Sequence, residues 1–364
     1  MDQLALKAIE RIAGAPRAPY HSIGIDRLTP VIGAEISGVD LSQPLNDGQL
    51  DEIRRALLEN HVLVFRDQHL SVEQHKAFGR LFGELRALPV DSIDGDDPEL
   101  VVVRANAQSR FVAGETWHTD GTADLEPSMG SMLYVKETPA IGTGGDTLFA
   151  NMHLAIDMLS PAMQQFLGGL TAIHDGEIPW KGFTPPEGLP KSEHPVVVRH
   201  PETGRPTLFV NSGFTSHIVQ LSGSESQTLL NMLFELVARE PILSCRVRWA
   251  PNTLVFWDNR STQHHAVWDY FPHSRYGERV TILGTRPRAR AFNPCCCRFP
   301  ADRRQAASRR PVFFYQTPDF SRNAELCFCP EGVGALGGYD GSDGLRSGPN
   351  CNPYTRSSNH CSPI

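Results

Sequence analysis

The chain has 364 residues, a 40% apolar fraction and a formal net charge of −7. That is enough apolar material for a substantial core, and the wrong sign for a general electrostatic grip on nucleic acid or on an anionic membrane. Apolar runs such as VLVF at 62–65 fall far short of the roughly 20 residues a bilayer-spanning helix requires, so no membrane span is expected.

Taken in chain order, MDQLALKAIERIAGAPRAPY carries charges inside its apolar pattern and reads as a short surface helix rather than a secretory signal. PVIGAEISGVDL (30–41) suggests a strand and turn, DGQLDEIRRALLENH (47–61) a helix, and VLVFRD a strand. SVEQHKAFGRLFG (71–83) opens on a serine suited to N-capping and closes on a glycine suited to C-capping, which predicts a second helix. From residue 99 strand signals dominate: ELVVVRA, GSMLYVKETP, DTLFANM, EHPVVVRH, PTLFVN, CRVRWA, TLVFWDN and RVTILGT are short, rich in β-branched and aromatic residues, and bounded by turn formers. RHPETGRPTLFV reads as a hairpin turning at Pro201 to Gly204, and SGSESQTLLNMLFELVARE (222–240) as a long amphipathic helix. The pattern predicts a mostly β domain with flanking helices, a sandwich or jelly roll rather than a parallel βαβ fold.

The domain is expected over residues 1–291. Residues 292–364 are Cys/Arg-rich and then Gly/Ser/Asn/Pro-rich, with few core-forming side chains, and read as a poorly ordered tail. Of eight cysteines only Cys245 precedes residue 290, so the body needs no disulfides, which fits a reducing, cytoplasmic compartment. The CCC and CFC runs of the tail lack the paired CxxC spacing of a zinc knot.

TWHTDGTADLEPS (116–128) holds His118 and Asp120 two positions apart, and on an extended chain both side chains reach the same side while Thr119 points away. With 14 His and 41 Asp plus Glu, about one or two such spacings arise by chance. His200 and Glu202 form one, at the hairpin turn, and read as structural. A third donor comes from FWDNRSTQHHAVWDY (256–270), where neighbours His264 and His265 point to opposite sides and at most one faces the ion. Two imidazoles and one carboxylate with open positions fit the facial triad of non-haem iron(II) oxygenases, and zinc is the competing ion. Arg275 and Arg279, four apart in SRYGERVTILG, can both face one pocket and grip a carboxylate or sulfonate, and Thr147 in GTGGDTLFANM can add a hydroxyl donor. The GTGGD glycines read as a turn, because no Lys-Ser/Thr follows and a strand comes next.

With these pieces in place the chain resembles the taurine dioxygenase-like (TauD/TfdA) family of iron(II)- and 2-oxoglutarate-dependent oxygenases, over roughly residues 24–290. The matching stretches are IGAEISGVDLSQPL, VLVFRDQ, FGEL, WHTD, TGGDTLFANM, HPVVVRHPETGRPTLFVN, GFTSHIV, VRWAPNTLVFWDNRSTQH and RVTILG, in family order. The resemblance implies a double-stranded β-helix, with Fe(II) held by His118, Asp120 and His264. It further implies 2-oxoglutarate with its far carboxylate on Thr147 and Arg275, O2 as co-reactant, and a small anionic substrate on Arg279. Phe209 and Phe214 are candidates for the pocket walls.

The chain also departs from the family pattern at several positions. Leu88 and Asp91 occupy positions where the taurine enzymes carry substrate-touching histidine and tyrosine, and Gly114 replaces an asparagine. Taurine itself is therefore not the expected substrate, and these positions, Leu88 among them, point to a larger or less polar anion. GTADLEPSMG also departs from the family pattern, where a lid over the substrate is expected. The implied reaction is hydroxylation with succinate and CO2 as co-products, with C–S or C–O cleavage when the attacked carbon bears sulfonate, sulfate or an ether oxygen. The alternatives are a biosynthetic hydroxylase or desaturase of the same family, and a non-catalytic metal-binding or interaction protein acting through the tail. No nucleic-acid partner is expected, and a homo-oligomer is left open.

Overall fold

The computed structural model describes residues 3–88, 97–112, 114–140, 143–180 and 182–289. The tail expected from residue 292, and Asp91, lie outside the described residues. In chain order the first elements are α1 (Gln3–Ala13), β1 (Gly24–Arg27), β2 (Ala34–Ser37), α2 (Asp47–Asn60), β3 (Val62–Phe65), α3 (Val72–Arg80) and β4 (Val101–Ala105). There follow β5 (Gly130–Glu137), β6 (Thr147–Asn151), α4 (Met152–Asp157), α5 (Pro161–Leu167), β7 (Thr171–Asp175), β8 (Lys191–Pro195) and β9 (Val197–Arg199). The chain continues through β10 (Pro206–Leu208), β11 (Thr215–Ile218), α6 (Gly223–Arg239), β12 (Ser244–Val247), β13 (Thr253–Asp258), β14 (Thr262–Ala266) and β15 (Arg275–Ile282).

Helix starts follow the local sequence. Asn46 before α2, Ser71 before α3 and Ser222 before α6 each close a reciprocal capping box with the Gln or Glu three residues on, satisfying backbone N–H groups that have no partner inside the helix. The predicted end of α3 differs: the helix stops at Arg80 rather than at Gly83, and Phe82 turns back to donate to the Gly79 carbonyl.

The large sheet has the order β1-β2-β3-β13-β5-β15-β4, antiparallel except for β2 beside β3. Its central strands are buried on both faces, so their sequences run apolar without alternation. Val62, Val64, Leu133, Val135, Val255 and Trp257 face a core shared with Phe149 and Ala150 of β6 and with Cys245 and Val247 of β12. Their neighbours Leu63, Phe65, Met132, Tyr134, Leu254 and Phe256 face a second core under α2 and α3, with Ile53, Leu57 and Phe78. The large sheet therefore has helices on one face and the smaller sheets on the other. The smaller sheets run β12-β6-β14, β11-β7-β8 and β10-β9. The run EHPVVVRH, expected as one strand, is divided at Val196 between two of them, because β8 pairs with β7 while β9 pairs with β10. The hairpin at 201–204 forms as predicted. His200, read as structural, accepts the Glu202 and Thr203 N–H groups at Nδ1 and contacts buried Asp258 through Nε2 at 3.0 Å. Among the described residues no helix is long and apolar enough to cross a membrane.

Burial depresses the imidazoles of His61, His75 and His174 from the ordinary 6.5 to about 3, so the folded protein holds all three neutral. The unfolded chain binds protons on them first. The stability they confer is complete above pH 6.5 and is lost as pH falls from there toward 3, at up to about 1.4 kcal/mol per pH unit for each. Urea unfolding at about pH 7 and about pH 5 should show this loss; equal midpoints at the two pH values would contradict it.

Candidate active site

The site starts from a backbone contact. His118 forms an isolated antiparallel bridge with His264 on β14, each N–H donating to the other's carbonyl at 3.0 and 2.8 Å. Thr119 points away, donating its hydroxyl to the Thr262 carbonyl at 2.7 Å. Asp120 comes next, where the chain leaves the bridge for a turn over 120–123. The i, i+2 pair thus shares one side, although the extended stretch that carries it is a single bridge rather than a full strand.

The His118 Nδ1 lies 2.7 Å from the Thr116 carbonyl oxygen. A carbonyl only accepts, so Nδ1 carries the hydrogen and Nε2 presents its lone pair. That Nε2 lies 3.7 Å from Asp120 Oδ1, and His264 Nε2 lies 3.9 Å from the same oxygen. The three donor atoms all fall within 4.8 Å of one another, and all three residues are buried. The other carboxylate oxygen, Oδ2, accepts from Ser131 Oγ at 2.7 Å. Ser131 in turn accepts from Asn259 Nδ2, and Asn259 accepts from the Trp257 indole N–H, both at 3.0 Å. This relay across β5 and the end of β13 aims the carboxylate.

The imidazole of His264 is held by packing instead. It stacks on Phe149 at 5.8 Å and lies 5.0 Å from Trp257, and its buried Nδ1 has no partner. Two glycines make room for His118: a Cβ at Gly114, whose φ is +91°, would stand 3.0 Å from Cε1, and one at Gly213 would stand 2.7 Å from Cβ. His265 faces the other way, against Trp117 at 5.6 Å.

Burial alone would raise the Asp120 carboxyl, but the Arg279 guanidinium and the two imidazoles outweigh it and hold the group well below the ordinary carboxylate range. Burial, with His118 beside it, holds His264 well below 6.5 and therefore neutral. A carboxylate and two imidazoles converging on a point are a donor set that suits a divalent cation.

Beside this trio lies a cavity of about 490 Å³, lined by His118, His264, Thr147, Arg275 and Arg279 among others. The two arginines share one face of β15: Arg275 pairs with Ala105 of β4, and Arg279 pairs with Val101 of β4 and Leu133 of β5. Arg275 is 4% exposed. Its guanidinium lies 5.0 Å from the centre of the Trp249 ring and hydrogen-bonds Tyr270, and no carboxylate of the described residues lies within salt-bridge distance of it. Trp249 Nε1 donates to Thr147 Oγ1 at 3.0 Å, which leaves the threonine hydroxyl hydrogen free to donate. Arg279 donates to Asp120 Oδ1 at 2.9 Å. The Nε–H groups of both arginines are buried without a partner.

The other expected wall residues are not brought here. Phe209 packs against His174 and His194 at 5.6 and 5.8 Å, beneath the small sheets. Phe214 lies near His118, at 6.2 Å between rings, without lining the cavity. Leu88 donates its N–H to the Pro98 carbonyl and is also outside it. Nor is GTADLEPS a loose cover. Thr122 accepts from Asn211, the Asp124 carbonyl lies 2.9 Å from His194 Nε2, the Asp124 carboxylate pairs with Arg86, and Thr122 and Ala123 are buried. The residues that sequence reasoning missed are Val101, Val103, Trp249, Tyr270, Phe111 and Phe183. For the valines the alternation of VVVRA opposite the two arginines was the available signal.

A family profile described as "Taurine catabolism dioxygenase TauD, TfdA family" matches residues 24–281. An alkylsulfatase of Acinetobacter baylyi is 37% identical over 73% of this chain and 86% of its own length. An alpha-ketoglutarate-dependent sulfonate dioxygenase of Saccharomyces cerevisiae is 34% identical over 72% of this chain and 67% of its own. Among solved structures, a taurine dioxygenase from Burkholderia xenovorans superposes with a TM-score of 0.66 at 38% identity, covering 74% of this chain and 92% of that one. The structure of AAD-2 in complex with Mn(II) and N-oxalylglycine superposes with a TM-score of 0.63 at 28% identity, covering 73% and 99%. The chain belongs to the TauD/TfdA family of dioxygenases.

Proposed function

We propose that the protein is an Fe(II)- and 2-oxoglutarate-dependent dioxygenase that hydroxylates a small anionic organic molecule, with its catalytic domain, a double-stranded β-helix, over residues 1–291. One observation carries the reading: among the described residues Arg275 is a buried cation without a carboxylate partner, its Nε–H unsatisfied, in a cavity shared with a cluster of two imidazoles and a carboxylate. A buried charge is costly unless paired, so the pocket is built for an anion beside a metal ion.

His118, Asp120 and His264 are the residues that would hold the iron. Thr147 and Arg275 would take the far carboxylate of 2-oxoglutarate, and Arg279 the anion of the substrate. Iron with 2-oxoglutarate and O2 supplies the oxidising power for C–H hydroxylation, one oxygen atom entering the substrate and the other the succinate formed as CO2 is lost. The protein's own part is positioning. The Ser131–Asn259–Trp257 relay keeps the carboxylate aimed, Thr116 fixes the His118 tautomer, and Phe149 and Trp257 exclude water from one side of His264. The names of the relatives, which include sulfonate, sulfate ester and phenoxypropionate dioxygenases, support an anionic substrate. A relative's complex with Mn(II) and N-oxalylglycine supports a divalent ion beside a 2-oxoglutarate-like dianion.

Succinate release from 2-oxoglutarate in the presence of Fe(II) and a panel of sulfonates, alkyl sulfates and aryloxyalkanoates tests the reading. Turnover that needs both iron and an anionic substrate is expected. No turnover with any of them, together with no metal-dependent binding of 2-oxoglutarate, would overturn it. His118→Ala should abolish turnover, and Arg275→Lys should raise the KM for 2-oxoglutarate by about ten- to a hundredfold, since a point charge cannot replace the planar two-pronged contact. Gly213→Ala should displace His118, costing about 1–3 kcal/mol in unfolding experiments through overpacking and weakening divalent-ion binding measured by calorimetry.

A further inference from the structure

The cavity is lined by the buried Arg275, the partly buried Arg279 and the half-exposed Phe111 and Phe183. Phe111 and Phe183 line it and are 53% and 49% exposed, yet their rings contact one another with centroids 4.8 Å apart at 50°. They come from separate connections, one between β4 and His118 and the other between β7 and β8, where Phe183 donates its N–H to the Trp180 carbonyl in a tight turn. Two large aromatic side chains left half in water at a cavity mouth form an apolar surface that a ligand can cover. The wall between them and Arg279 is apolar too. Val101, Val103 and Leu133 lie on the face of the sheet that carries Arg279, and buried Val112 lines the same space. Among the described residues that line the cavity there is no Asp or Glu, whereas Arg110 lines it in addition to Arg275 and Arg279. An ammonium group on a substrate would therefore meet like charge and, among the described lining residues, no carboxylate.

We propose that the substrate is an amphiphilic anion without a cationic group, its head on Arg279 and its uncharged apolar tail running along Val101, Val103 and Leu133 to leave between Phe111 and Phe183, which set specificity for tail length. This rests on the reading of Arg279 as the residue that takes the substrate's anion. It distinguishes the pocket from one made for a short zwitterion.

The test is kcat/KM, read as succinate release, for linear alkyl sulfates from ethyl to octyl, with taurine and a terminal alkane disulfate as comparison compounds. The expected result is a rise of about three- to fourfold per added methylene until the tail passes the two rings, with taurine below ethyl sulfate. In the double variant Phe111→Ala, Phe183→Ala the rise should flatten, mainly through KM for the long chains. In Phe111→Leu, Phe183→Leu, which keeps apolar surface, most of the slope should return. Both side chains are half exposed, and unfolding midpoints equal to wild type show that the variants are folded. Turnover that is independent of chain length, an unchanged slope in the alanine variant, or a preference for taurine or the disulfate would each overturn the tail assignment while leaving the dioxygenase reading intact. Absence of turnover with every compound, together with no metal-dependent binding of 2-oxoglutarate, would overturn both.

Discussion

The backbone bridge between His118 and His264 is the constraint on which the site depends. It ties residues 146 positions apart in the sequence through a pair of hydrogen bonds, and it is anchored on one side because β14 is paired along its length with β6. Everything else is referred to it. Asp120 takes its direction from being two residues past the bridge, and Gly114 leaves room for the His118 ring while Gly213 leaves room for its Cβ. Thr147, at the far end of β6, is paired with Ala266 of the strand that carries His264. A short stretch of ladder thus fixes the relative placement of the trio and of the threonine that faces the cavity.

Charge is distributed against the average. The chain as a whole is acidic, with a net charge of −7, but the cavity beside the trio is lined by arginines. The Coulomb interaction that matters is local, because a buried guanidinium is screened far less than a surface one. Asp120 is the carboxylate that answers Arg279, and it is shared: the oxygen that accepts from the arginine is the one that faces both imidazoles. The proposed ion site and the proposed substrate site are therefore coupled through one oxygen atom.

How far this was legible in the sequence differs from residue to residue. Strands buried on both faces announce themselves, as VLVF does, and capped helices announce their first residue, as Ser71 and Ser222 do. The i, i+2 spacing of His118 and Asp120 and the i, i+4 spacing of Arg275 and Arg279 are legible locally, whereas the choice of His264 over His265 and the part given to Thr147 come from the family resemblance and not from spacing. Phe209 was not legible, since a phenylalanine reads the same whether it faces a cavity or packs against His174 and His194, and only the long-range register decides between the two. Short, partly polar strands such as β7 (TAIHD) and β11 (TSHI) carry no long apolar run to reveal them. Phe111 and Phe183 are separated by a long stretch of sequence and meet only in the fold. Their connections look like ordinary loops. The anchoring of the segment after Asp120 is hidden for a similar reason, because its partners, Arg86, His194 and Asn211, are all distant in the sequence.

The measurement that bears most directly on this account is a crystal structure of the protein with Mn(II) and 2-oxoglutarate, the ion located by its anomalous scattering. One ion is expected, bound by His118 Nε2, an oxygen of Asp120 and His264 Nε2, with the far carboxylate of 2-oxoglutarate on Arg275 and Thr147. An ion bound elsewhere, or 2-oxoglutarate with that carboxylate on Arg279 instead, would contradict it.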